Sequence, residues 1–230
     1  MRAGRLLPWS GVAAFVLILA SFPLAGSVPT ADASVSDVVA FYTKHTGTQT
    51  ASGVLMSLGA LFLLIFSAML ASELRRRDER ASVSAALLLL GAGILVVSLA
   101  LFAGFSLAIA DLVGHIDDAT INVLNVLSQE AAFVFVVTIG TSAFMFGAGS
   151  GVLTTSIVPR WLGWVAIVLG VTAAIPSHVL GGLLDHIGFV GFAGLALWCA
   201  VVGVILATRS KMPAAPATSS RPEEGRQPVS

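Results

Sequence analysis

The residues in this chain best suited to chemistry are histidines and carboxylates near the ends of apolar runs. His115 follows Asp111 by four residues, a spacing that brings two side chains together on one helix face, although Gly114 between them weakens a helix there. His186 directly follows Asp185, a short step after His178. Imidazole nitrogens and carboxylate oxygens suit zinc and other divalent ions. His115, His178 and His186, with Asp111 and Asp185, therefore form the candidate metal site. Because free imidazole titrates near about 6.5, the same residues are candidates for sensing external pH. No HExxH string fixes a ligand geometry, and the ligands come from separate loops. The plain alternative is a set of ordinary polar residues at a water interface.

Other chemistry lacks its residues. There is no phosphate-binding Gly-x-x-x-x-Gly-Lys, no Gly-x-Ser-x-Gly elbow and no haem-attachment motif. Ser177 and His178 are adjacent, so on a helix they would not face each other. The single cysteine, Cys199, lies inside an apolar run and excludes an intrachain disulfide. No catalytic residue and no cofactor is assigned, and whether the chain is an enzyme stays open, with the missing motifs weighing against it.

The elements that would position these groups follow from composition. Of 230 residues, 57% are apolar and 10% charged, against roughly 25% charged in an ordinary soluble domain; the mean hydropathy is +0.96. Too few charges are present to coat a soluble fold, which excludes a soluble enzyme, a disordered regulator and a disulfide scaffold. Six runs without a charged residue stand out: Pro8–Gly26, Ser52–Ser72, Val83–Ala110, Ala131–Leu153, Trp161–His178 and Ile187–Thr208. A spanning helix needs about 20 residues. Five runs fit this length, and the third, with 28, should tilt or emerge from the lipid. The runs lack the two-residue alternation of a membrane barrel, so their backbone groups must be satisfied within helices. The expected fold is all-α, a polytopic transmembrane helical bundle of six spans. Residues 1–208 form the membrane domain and 209–230 a disordered tail rich in Pro, Ser, Glu and Arg.

Orientation follows from Lys and Arg. With both termini cytoplasmic, 11 of the 12 basic residues lie inside, and Lys44 alone lies outside, as the positive-inside rule requires. All four histidines then fall on the outer side. Net charge is zero, so nucleic acid is not an expected partner. The first run, preceded by Arg2 and Arg5 and followed by Ala25-Gly26-Ser27, also resembles a signal peptide. A retained anchor is preferred, because its apolar stretch reaches bilayer length and more spans follow.

Two outer loops are patterned. Val35, Val38, Val39 and Tyr42 share a helical face, and Ser34 with Asp37 has capping-box spacing. After Asp117 and Asp118, Asn122, Asn125 and Gln129 share a face. Each reads as a short helix on the outer surface or as an ordered loop on the helix ends. Small residues at every fourth position, Ala100/Gly104/Ala108, Ala143/Gly147/Gly151 and Ala166/Gly170/Ala174, predict close helix packing within the chain.

The strings Asp37-Val38-Val39-Ala40-Phe41-Tyr42, Arg75-Arg76-Arg77 and Pro159-Arg160-Trp161-Leu162-Gly163-Trp164 resemble a family of uncharacterised six-helix integral membrane proteins of high-GC bacteria. The resemblance covers most of the chain. It implies a six-helix fold in a bacterial plasma membrane and carries no catalytic residues with it. Three function classes follow: a non-catalytic membrane component that senses or binds a partner; a small transporter or permease for an uncharged or lipid-like solute; and a metal-dependent membrane enzyme at the outer rim. The absence of Asp, Glu, Lys and Arg from the runs weighs against ion-coupled transport. The expected partners are the lipid bilayer and other membrane proteins or a second copy of the chain.

Overall fold

The computed structural model describes residues 6–30, 32–128, 136–175 and 187–209, and all regular structure among them is helical. The helices are α1 (Trp9–Ala25), α2 (Val35–Arg77), a single 3-10 turn (Glu79–Ala81), α3 (Ser82–Leu112), α4 (Asp118–Val126), α5 (Val137–Thr155), α6 (Arg160–Ala173) and α7 (Ile187–Arg209). By length and composition α2, α3, α5 and α7 are long and apolar enough to cross a membrane, while α1 and α6 are shorter apolar helices. The last helix runs one residue past its apolar run, so Arg209 belongs to α7 and not to the tail; the rest of the tail lies outside the described residues.

Local chemistry sets the helix ends. Ser34 caps α2 as its spacing predicts, accepting the Asp37 amide; the Asp37 carboxylate accepts the Ser34 hydroxyl at 2.6 Å. Asp78 breaks the long helix in extended conformation, and its carboxylate accepts the Arg80 amide, turning the chain into α3. Ser156 ends α5 in the left-handed region. Pro159 then precedes the first turn of α6, where its missing N–H would have no intrahelical partner.

The helices close into a ring. Going around it, α1 packs on α2, α2 on α3, α3 on α5, α5 on α6, α6 on α7, and α7 returns to α1. Its interior is filled by buried Ile18, Phe66, Leu70, Leu88, Leu95, Phe144, Leu162 and Trp198. The rings of Phe144 and Trp198 meet edge to face, with centroids 6.4 Å apart, so α5 and α7 touch across the interior. Lipid is as apolar as leucine and supplies no hydrophobic drive between helices; close packing and hydrogen bonds must hold them. Ser52 donates to the Ser21 carbonyl at 2.9 Å and Gln49 to the Ala25 carbonyl at 2.6 Å, joining α2 to α1. Ser150 joins α5 to Ser84 of α3 at 2.9 Å, and the Trp198 indole joins α7 to the Leu162 carbonyl of α6 at 2.9 Å. Ser57, Ser67 and Ser142 bond the carbonyls four residues earlier on their own helices.

The small-residue stripes divide. Gly147 faces α3 so closely that a Cβ there would lie 2.3 Å from the Leu88 nitrogen; one on Gly91 would lie 2.2 Å from the Phe144 nitrogen. Gly170 lies against Phe146, and Ala166 is buried. The α3 stripe turns the other way: Ala100 and Gly104 are exposed, and a Cβ on Gly104 would meet nothing within 4 Å. Packing of α3 instead uses Ala85, Gly91 and Ala92, all buried. On α6, Ala173 is buried and Ala174 exposed.

Gly147→Ala should therefore destabilise the bundle by about 1–3 kcal/mol, the usual range for overpacking, and lower the melting temperature in detergent. Gly104→Ala should leave it unchanged or raise it, since alanine is the better helix former. Equal melting temperatures for wild type and Gly147→Ala would show that α3 and α5 do not meet there.

Candidate functional site

The end of the bundle that carries Asp111 and His115 is capped by a second, smaller core. Helix α2 does not begin with its apolar run but extends outward to Val35, with non-helical backbone angles at His45 that bend it. The patterned segment 35–42 thus lies in a short helical limb set off from the apolar run by the kink at His45. It turns Val38 and Tyr42 inward against Ile109 of α3 and Ile121 of α4, all fully buried. The last turn of α3, beyond the third apolar run, forms one wall of this cap.

Helix α4 starts at Asp117, whose carboxylate accepts the Thr120 amide at 2.9 Å and the Thr120 hydroxyl at 2.7 Å. Those bonds hold the Asp117 carboxyl below its ordinary range. The capping contribution is therefore present at neutral pH and is lost as pH falls through that depressed value. The polar face of α4 points inward, not to water. Asn125 is buried, accepts the Tyr42 hydroxyl at 3.1 Å and donates to the Pro29 carbonyl at 3.2 Å. This side chain joins three chain segments. Asn122 has a buried oxygen with no hydrogen-bond partner among the described residues, as does Thr141 on α5; Gln129 lies outside them.

Of the five candidate ligands, Asp111 and His115 are described; His178, Asp185 and His186 lie outside the described residues. Asp111 and His115 are both exposed, and no hydrogen bond or ion pair joins them. The four-residue spacing fails because α3 ends at Leu112 and Gly114 adopts φ +82°. That left-handed turn, which glycine makes without a steric penalty, carries His115 off the helix face that presents Asp111. Asp111 borders a shallow groove of about 410 Å³ between α2 and α3, beside Thr46 and Thr50. Both threonine hydroxyls are already bonded to α2 carbonyls. Among the described residues no group of three or more His, Cys, Asp or Glu is gathered closely enough to hold a metal ion. His45 is spent locally, with Nδ1 2.9 Å from the Phe41 carbonyl and its ring 4.6 Å from the Phe41 ring.

The opposite end contains a feature that sequence reasoning missed. A cavity of about 760 Å³ opens between the start of α1, the ends of α2 and α7, and Ile157 in the α5–α6 turn. Arg76, Arg77 and Arg209 line it, with Glu73 as the one acidic residue among the described lining. The arginines are visible in the sequence, but there they bear on orientation and on the family resemblance and not on a cavity. Nothing local in the string shows that Arg209, more than a hundred residues later, lies beside them.

Tyr42→Phe should leave the buried Asn125 oxygen without its donor, at about 1–3 kcal/mol. Faster amide hydrogen exchange should follow across 118–126, with α3 and α5 unchanged. Exchange in α4 at the wild-type rate would show that Tyr42 does not hold the cap.

No family model, curated protein or solved structure matches this chain.

Proposed function

We propose that this chain is a six-span integral membrane protein of a bacterial plasma membrane, with both termini on the cytoplasmic side. In this reading it is a non-catalytic component that senses or binds a partner through its two ends and conducts nothing through its centre. The observation that carries it is the filled interior of the ring, where fully buried Leu70, Leu95, Phe144 and Val202 occupy the space a polar route would need. The ends differ in sign as an inserted protein's should. Arg75, Arg76, Arg77, Arg80 and Arg160 belong to one end, and Asp111, Asp117 and Asp118 to the other, so the positive-inside rule places the arginine end in the cytoplasm. Exposed Trp161 and Trp164, 58% and 62% accessible, sit at that end where interfacial aromatics belong. Two observations support α1 and α6 as spans despite their length: both are integral to the ring, and α1 buries Gly11, Ala14, Ile18 and Ser21 in it. The same burial supports a retained first helix over a cleaved signal.

Single cysteines in a Cys199→Ala background test both parts. On intact cells an impermeant thiol reagent should label Thr43→Cys and should reach Arg80→Cys only after permeabilisation; the reverse pattern would overturn the orientation. A small thiol reagent should react with Leu70→Cys and Leu95→Cys at least about a hundredfold more slowly than with Thr43→Cys. Comparable rates would reveal a water-filled route and favour a permease for an uncharged or lipid-like solute.

A further inference from the structure

The arginine-lined cavity has two chemistries in one space. Its upper wall is cationic. Arg76 is 74% exposed and pairs with Glu73 at 3.2 Å, an exposed pair of the kind that contributes little. Arg77 forms no ion pair among the described residues. Arg209 is held in place because its guanidinium donates one N–H to the Ile157 carbonyl, and it forms no ion pair among the described residues. Among the described lining residues, three guanidinium groups against one carboxylate leave an excess of positive charge, in the residue type that best matches phosphate oxygens. The lower wall is apolar, formed in part by Ile65, Met69 and Leu206.

The opening is continuous with the outward face of α2. Ala68, Ser72 and Arg76 border both this cavity and a second, shallower groove of about 290 Å³ that also includes Arg75. Along the same helix Leu61 and Leu64 are 50% and 40% exposed, at spacings that place them in line below Ala68. An apolar strip thus leads up to a ring of guanidinium groups. A soluble anion would use the ring and leave the strip unused; an amphiphile would use both.

We propose that this cavity is a binding site for an anionic phospholipid, its phosphate held by Arg76, Arg77 and Arg209 and one acyl chain lying on the Leu61–Ala68 face of α2. This rests on the reading of the chain as a membrane protein, with the arginine end at the cytoplasmic leaflet. Basic pockets between helices on that side are suited to anionic headgroups. The volume falls within the roughly 300–1,000 Å³ of sites for small molecules.

The test is native mass spectrometry of the full-length protein in detergent, titrated with phosphatidylglycerol or with phosphatidylcholine of the same acyl chains. Phosphatidylglycerol should bind at least about tenfold more tightly. The variant Arg76→Gln/Arg77→Gln/Arg209→Gln should lose that preference, as should Ala68→Phe, which fills the mouth without changing charge. Arg80→Gln/Arg160→Gln, which removes charge outside the cavity lining, should bind within about twofold of wild type. Melting temperatures check that each variant is folded; if the triple variant does not fold, Ala68→Phe carries the test alone. Equal lipid preference in Ala68→Phe and wild type would overturn the proposal. So would glycerol phosphate competing as strongly as the lipid, which would make this a site for soluble phosphates. A protein dimer abolished by Ala68→Phe, with no retained lipid, would give the surface to a second copy and overturn it too. Detergent has no sides, so lipid binding and the cysteine-determined orientation can fail independently.

Discussion

The approach of α3 to α5 is the constraint on which the rest of this molecule depends. Gly91 and Gly147 let two backbones come so near that no side-chain carbon fits between them. In a solvent as apolar as the helices themselves, that proximity replaces the hydrophobic effect as the source of cohesion. The Ser150–Ser84 hydroxyl bond lies on the same seam and gives it a polar register. With α3 and α5 fixed, α2 and α6 pack on their outer flanks and α7 closes the circle onto α1. Dense packing on this pattern leaves the interior to large apolar side chains and, among the described residues, leaves the charged ones to the two ends.

Those ends are built by different means. One is a small core of its own, where the start of α2 and the end of α3 trap Tyr42, Ile109 and Ile121 under α4. The Asn125 amide satisfies both Tyr42 and a loop carbonyl, a buried polar contact that fixes how the cap sits. At the other end Arg76, Arg77 and Arg209 stand around a cavity, and Arg209 is tied to a backbone carbonyl of the α5–α6 turn.

Legibility in the sequence followed the range of the physics involved. The helices were readable because apolar run length and capping are local: Ser34 with Asp37 and the long third run appear in the structure as their spacing predicts. Which face of a helix packs was not readable where small residues occur on more than one face. The Ala100–Gly104 stripe of α3 looks outward, whereas the unremarked Gly91 makes the tight approach. The Asp111–His115 pairing depended on one backbone angle at Gly114, and glycine permits both outcomes. The inner cavity was invisible for a different reason. Arg77 and Arg209 are neighbours only through ring closure, and no pattern within a window of residues encodes that.

Ring closure also sets the order in which this protein can be completed. A chain made from its first residue onward inserts α1 and α2 long before α7 exists, so the face of α1 that will meet α7 is without a partner for most of synthesis. Gly11, which lies against the Cys199 carbonyl, and Gly203, which lies against the Pro8 carbonyl, form a latch that closes last. The arginine-lined cavity takes walls from the residues before α1, from α2 and from α7, so it is absent until α7 has docked.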